Sequence, residues 1–310
     1  MDKRLTTITI PRIVLSLSDL LLPRTCVVCG RTLLVEEKNL CVGCLSDLPL
    51  TYFWAMPHNP MADAFNALVE APSYVHTAAL FYYSSGYEQI TQALKYRRNF
   101  AVGRWAASLL GRLMREAGWR VDAVCCVPLH WTRRHRRGYN QAEVIARRLA
   151  SALGAIFLPR LLRRTRRTRT QTRLDAAARS KNVSGAFVAR PSALASCKLF
   201  EPFLVASCPA PRALTASSPA PTGHQEVVIS TEGSSSVISS KGFPSVISTE
   251  AKRSGEISPP SCPAPTGHPL ILVVDDVFTT GSTLSACYNA LREAFGDAID
   301  IAIATLAFVA

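Results

Sequence analysis

The sequence predicts an α/β protein, a parallel sheet with flanking helices, preceded by a small ribbon built on cysteines. Three observations carry the prediction. The run Leu270-Ile-Leu-Val-Val274 is apolar and β-branched enough for a strand buried on both faces, as strands of parallel sheets are. It leads through Asp275 and Asp276 into the turn Thr279-Thr280-Gly281-Ser282-Thr283 and then an amphipathic helix. Between Ala78 and Leu158, strand-like runs alternate with helix-period segments, as in units of strand, helix and strand. Nearer the start, Cys26-x-x-Cys29 is followed by Cys41-x-x-Cys44.

The chain opens with charge, turns apolar near Ile8, and is interrupted by Pro11, Arg12 and Asp19. No small-residue cleavage site follows. Leu15, Leu20, Leu21 and Leu22 therefore read as a short docking helix, not as a signal peptide or membrane span. The expectation is a cytoplasmic protein.

The two cysteine pairs, with Gly30 and Gly43 giving tight turns, can close one tetrahedral site of four thiolates. Zn²⁺ suits that site best, although a disulfide pair or a redox pair has the same spacing. Without an export signal, disulfides are disfavoured. With all four positions filled by Cys26, Cys29, Cys41 and Cys44, the metal is structural. Cys125 and Cys126 lie in an apolar run and read as core residues.

Tyr52 to Ala71 reads as an irregular connector. A strand follows at Ala78–Tyr83, a helix at Gly86–Arg98 carrying Lys95 and Tyr96, and a second helix from Ala101 to Glu116, stopped near Gly118. Asp122–Leu129 is a buried strand that Pro128 ends. The segment from His130 to Gln141 reads as a loop holding Arg133, Arg134, Arg136 and Arg137. The next helix carries Ile145, Ala146, Leu149 and Leu153 on one face and stops at Gly154. Ile156–Leu158 is a short strand. Arg160 to Asn182 is polar and basic, with seven arginines by Arg173, and Ser184–Ala189 returns to strand character.

From residue 192 to 268 the composition shifts to Ser, Pro, Ala and Thr, with irregular repeats. Ser217-Ser-Pro-Ala-Pro-Thr-Gly-His returns as Ser261-Cys-Pro-Ala-Pro-Thr-Gly-His268, and Val228-Ile-Ser-Thr-Glu returns at Val246. Too little apolar surface is present to offset the entropy of ordering, so the expectation is a disordered insertion. The chain thus divides into residues 1–50 (helix and ribbon), 74–191 plus 269–310 (the α/β domain), and the insertion at 192–268.

A formal charge of +13 favours acidic or phosphorylated partners. The turn Thr279–Thr283 presents hydroxyls and backbone N–H groups around a permissive glycine at a helix N-terminus. Such an arrangement cradles an anion, with phosphate the natural occupant. Carboxylates beside a phosphate make sense when they accept from sugar hydroxyls or help to hold a cation.

Two acids followed by T-T-G-x-T resemble the phosphoribosyl-pyrophosphate (PRPP) signature of type I phosphoribosyltransferases. The whole chain outside the insertion resembles the ComF family, competence-related proteins with a zinc ribbon fused to such a domain. Asp19-Leu-Leu-Leu-Pro23 before the cysteine pairs carries that resemblance, as do the Leu-Lys-Tyr ending at Tyr96 and Val127-Pro-Leu. So do Arg137-Gly-Tyr-Asn-Gln141, Leu161-Leu-Arg-Arg, and Gln171, Leu174, Arg179 and Asn182-Val. The family more often has Phe at position 139, and a short connection where this chain has its insertion.

The resemblance implies PRPP binding, with Mg²⁺ bridging pyrophosphate and ribose hydroxyls, and transfer of the phosphoribosyl group to an acceptor. It implies that Thr279, Thr280, Gly281, Ser282 and Thr283 hold the 5′-phosphate and that Asp275 and Asp276 orient the ribose. It further implies that Arg137, Gly138 and Asn140 meet the pyrophosphate, and that Leu161–Asn182 forms a mobile flap. No acceptor pocket is legible. A second reading makes the chain a non-catalytic factor that handles single-stranded DNA during uptake beside a DNA-translocating helicase.

Overall fold

The computed structural model describes residues 23–166, 185–195 and 267–310. They belong to one compact unit, and the chain's second unit, Pro209–Ser258, lies outside the described residues. The expected N-terminal docking helix, the Gln171–Val183 motif and most of the 192–268 insertion also lie outside them.

The described elements run in order as follows. Helix α1 (Val42–Ser46) and a 3₁₀ turn (Phe53–Ala55) precede α2 (Pro60–Asn66), β1 (Thr77–Tyr82), α3 (Glu88–Tyr96) and α4 (Phe100–Glu116). Next come β2 (Ala123–Cys126), α5 (Trp131–Arg137), α6 (Gln141–Leu153), β3 (Ile156–Phe157) and β4 (Leu162–Arg164). The chain closes with β5 (Phe187–Ala189), α7 (Ser192–Ala195), β6 (Leu270–Phe278), α8 (Ser282–Phe295) and β7 (Asp300–Phe308).

Five strands form one parallel sheet in the order β1-β7-β6-β2-β3. Both faces are covered, so the strands are near-continuous in apolar residues, and alternate side chains serve two cores. Leu80, Val124, Leu272, Val274 and Ala304 face the layer of α3, α4 and α6, where Leu94, Leu110, Ile145 and Leu149 are fully buried. Ala79, Ala123, Cys125, Ile271, Val273 and Ile303 face α2 and α8, meeting Met61, Phe65, Tyr288 and Leu291. Strands β4 and β5 pair antiparallel and join this second core through Leu162, Phe187 and Ala189. The mixed α/β architecture with a parallel sheet is the one the sequence predicts.

Four local expectations change. The segment from Tyr52 to Ala71 is no loose connector. Asn59 caps α2 by accepting from the Ala62 N–H, Pro60 sits at the first helical position, and Phe53, Trp54, Met61 and Phe65 are buried. The arginine-rich stretch after His130 is helix rather than loop. The His130 ring accepts from the Thr132 N–H at its start, and Gly138, at φ +80°, ends it by donating to the Arg134 carbonyl. Arginine is a good helix former, so no apolar stripe is needed. Part of the basic stretch after Arg160 is strand β4. Finally, the apolar run Ile301–Phe308 is a central strand, flanked by β1 and β6, that the sequence reading leaves unassigned.

The cysteine pairs do not stand apart from the sheet. Cys26, Leu33, Leu40, Cys41 and Leu48 share the α3/α4 core. Among the described residues, no helix is long and apolar enough to cross a membrane.

Candidate functional site

Strand β6 outruns its neighbour β2. The last bond across that pair runs from the Val127 N–H to the Val274 carbonyl, so Asp275 and Asp276 lie just past the end of β2. Both lie within the strand rather than beyond it, and on the other side Asp275 pairs with Thr305 of β7. The two-residue alternation shifts here. Val274 and Val277 both pack on the α3 side, and Phe278 packs on the other. Ligand sites in open parallel sheets form at such carboxyl ends.

Asp276 is 5% exposed, and its Oδ2 meets the Lys95 ammonium at 2.7 Å. Burial works against the Lys95 charge, but Asp276 outweighs it and holds the Lys95 pKa above its usual value. Asp275 is half-buried and accepts from the Asp276 N–H through Oδ1 at 2.9 Å. Desolvation first, and then the charge of Asp276, push the Asp275 carboxyl up to about 8. The sequence marks Lys95 as part of a helix and of the Leu-Lys-Tyr ending, with no role beside the acids. What brings it to the acids is the tertiary packing of α3 on β6.

The turn after β6 is compact. Gly281 adopts φ +69°, and a Cβ there would lie 2.8 Å from both Leu68 Cδ1 and Phe278 Cζ. Only glycine satisfies both the backbone and the packing. Gly281 stands at the N-cap of α8 without a side-chain cap, Thr280 Oγ1 and Ser282 Oγ lie 3.0 Å apart, and Thr279 is exposed. Thr283 stands in the first turn of α8. The N-terminus of this 14-residue helix carries positive partial charge and backbone donors directed at the turn.

The segment Arg137–Asn140 joins the acid pair through two threads. Asn140 is buried, donates to the Val127 carbonyl at 3.0 Å, and caps α6 by accepting from the Ala142 N–H. The Tyr139 hydroxyl donates to the Leu94 carbonyl, the residue before Lys95. Gly138, at φ +80°, leaves room for the Arg98 guanidinium, which donates to the Arg137 carbonyl at 3.2 Å. Arg137 itself lies over the Tyr96 ring at 5.6 Å. Asn140 thus ties this segment to the end of β2, and Arg98 holds the Arg137 carbonyl three residues earlier. Gln141 is buried as well, and its Oε1 accepts no hydrogen bond among the described residues.

The four cysteines form a second centre. The Sγ atoms of Cys26, Cys29, Cys41 and Cys44 all lie within 4.8 Å of one another, with Cys29 and Cys41 at 3.8 Å. Tetrahedral Zn–S bonds of about 2.3 Å place sulfurs roughly 3.8 Å apart, so the set fits zinc. Backbone N–H groups point at the sulfurs, from Cys41 to Cys26 and from Cys44 to Cys41. The second of these helps to bring the Cys41 thiol down to about 6, while burial and its neighbours raise Cys44. Glu37 braces the knuckles by accepting from the Leu34 and Val42 N–H groups, both at 2.7 Å. The Tyr87 hydroxyl ties the centre to the start of α3 through the Cys44 carbonyl at 3.1 Å. Among the described residues this is the one cluster able to hold a metal by itself.

No family model matches the chain. Competence protein F of Haemophilus influenzae is 27% identical to it over 171 residues, covering 52% of this chain and 75% of that protein. DNA utilization protein YhgH of Salmonella typhimurium is 30% identical over 168 residues, 52% of this chain and 69% of that protein. Its namesake in Escherichia coli is 31% identical over 172 residues, with the same shares of both chains.

Proposed function

This chain belongs to the ComF family, and on that premise we propose that it binds PRPP at the junction of β6 and α8 and serves DNA uptake or utilization. In this reading it is a phosphoribosyltransferase-like protein that moves the phosphoribosyl group to an acceptor and releases pyrophosphate. The observation that carries the reading is the strand, acid pair, glycine turn and helix of β6–α8, with Gly281 held at φ +69° against Leu68 and Phe278. The proposed division is an N-terminal helix and zinc ribbon at 1–50, a phosphoribosyltransferase-like domain at 74–191 plus 269–310, and an insertion at 192–268.

In this reading the turn Thr279–Thr283 and the first N–H groups of α8 take the 5′-phosphate. The side chains of Asp275 and Asp276 accept from the ribose hydroxyls, fixing the anomeric carbon relative to the leaving group. Arg137, with Arg98 beside it, neutralises the pyrophosphate, and Gly138 lets the backbone approach. Mg²⁺ would be held chiefly by substrate phosphates with a carboxylate contribution, and when bound it neutralises the departing pyrophosphate. The acids are no standing magnesium site, since Asp276 already holds Lys95. Cys26, Cys29, Cys41 and Cys44 would hold Zn²⁺ with all four positions filled, which would brace the knuckles and leave no open position for chemistry.

Isothermal calorimetry with PRPP and Mg²⁺ tests the reading. Saturable binding by the folded, zinc-loaded protein is expected, and loss of that binding in the Asp275→Asn/Asp276→Asn double variant. Absence of binding by the wild type would sink the proposal. A second reading then gains weight, that of a single-stranded-DNA factor acting beside a helicase. It is favoured by Trp131 and Tyr96, 72% and 71% exposed, next to the arginines of α5. Binding of this kind weakens steeply with salt.

A further inference from the structure

The Lys95–Asp276 contact is built into the architecture rather than formed between free surface side chains. Leu94 is fully buried, the Tyr139 hydroxyl holds its carbonyl, and the Asn99 N–H bonds back to the Ala93 carbonyl. The last turn of α3 is thus fixed on three sides, and Lys95 leaves it with its side chain 24% exposed, aimed at a carboxylate that is only 7% exposed. At the other end, the Tyr87 hydroxyl anchors the start of α3 on Cys44. A lysine pinned this way spends little further entropy in reaching its partner. Two neighbouring carboxylates in a partly dry site repel each other, and a cation in contact with one of them offsets that repulsion. Lys95 is the cation that the fold supplies.

We infer that Lys95 is a positioning residue: its ammonium is the resident counter-ion that holds the Asp276 carboxylate oriented as an acceptor for a vicinal diol of the ligand. The inference deepens the phosphoribosyl reading of β6–α8 and rests on it. Lys95 touches the acid rather than the reacting carbon, so its effect is confined to recognition of the sugar hydroxyls. The phosphate turn, on a different element, keeps its own contribution.

The test compares ribose 5-phosphate with 2-deoxyribose 5-phosphate by calorimetry on the full chain, in wild type, Lys95→Met and Lys95→Arg. Wild type is expected to prefer the ribose sugar. Lys95→Met should lose roughly tenfold in affinity for ribose 5-phosphate, about one charge-assisted hydrogen bond, and little for the deoxy sugar, so that the preference collapses. Lys95→Arg should restore part of it. Equal loss on both sugars, or no loss on either, overturns the inference. Should Lys95→Met fail to fold, Lys95→Gln takes its place. If wild type binds neither sugar phosphate, the phosphoribosyl reading itself has failed. The counter-ion role is then judged by nitrogen-15 NMR of lysine-labelled protein: a Lys95 midpoint lowered by Asp276→Asn keeps it, and an unchanged midpoint removes it.

Discussion

At the scale of single residues, Gly281 and Asp275 make opposite kinds of statement. Gly281 is fixed by sterics alone. Alanine there would adopt a left-handed backbone at about 1–2 kcal/mol and would press a methyl into Leu68 and Phe278. Gly281→Ala is expected to cost about 2–4 kcal/mol in all, read as a lower urea midpoint with an unchanged slope. Asp275 is set by electrostatics. Its folded pKa of about 8 lies above an unfolded value of roughly 3.9, so the folded state holds a proton that the unfolded chain has lost. Its contribution to stability is complete below the unfolded value and is lost as pH rises toward 8. Unfolding at pH 5 and pH 8 should therefore differ, with lower stability at pH 8, and Asp275→Asn should narrow the gap. A wild-type protein more stable at pH 8 than at pH 5 would contradict this.

At the scale of elements, the cysteine centre and the capping of α6 carry the predictions. Because Cys26, Leu33, Leu40 and Cys41 share the α3/α4 core, zinc removal should be felt beyond the knuckles. A strong chelator, or Cys41→Ser, is expected to lower the melting temperature by roughly 10 °C, corresponding to about 3–5 kcal/mol. Elemental analysis should find one zinc per chain before treatment. Asn140→Ala removes both the cap of α6 and the bond to the Val127 carbonyl, at about 1–2 kcal/mol by chemical denaturation.

The elements also differ in how openly the sequence announces them. The periodic helices α4 and α6 and the apolar runs of β1 and β6 are legible because their own residues fix their environment. The helix α5 is not, since seven residues from Trp131 to Arg137 carry no apolar stripe and depend on a histidine cap and a terminal glycine. The region from Tyr52 to Ala71 misleads because its Pro, His and Asn suggest a loop, whereas tertiary contacts bury Phe53, Met61 and Phe65. In the site, the acids and the glycine turn are local in sequence and easily read. Lys95 lies some 180 positions before its partner Asp276, and no local pattern could announce that pairing.

At the scale of the molecule, the long connection between β5 and β6 separates two stretches that build one sheet. Among the described residues, the buried members of both core clusters lie between Cys26 and Ala189 or between Leu270 and Phe308, with Ala193 packed against the second. Replacing residues 199–264 by a linker of about fifteen glycines and serines should leave the fold intact and raise stability by about 1 kcal/mol, because loop-closure entropy grows slowly with length. Thermal unfolding of the shortened protein checks this, and a large loss would mean that the connection contributes packing of its own.

The sheet order has a further consequence, in time rather than in space. Thr77 of β1 finds its partner only in Ile303 of β7, more than two hundred residues later. At about 5–20 residues per second, a ribosome needs roughly 10–45 s to deliver that partner. For that interval the six residues of β1, nearly all destined for burial, have beside them only the short Pro49–Thr51 segment, through the Leu50–Phe81 bridge, and not the strand that covers their other edge. The yield of folded protein in the cell is therefore expected to depend on translation speed as well as on final stability.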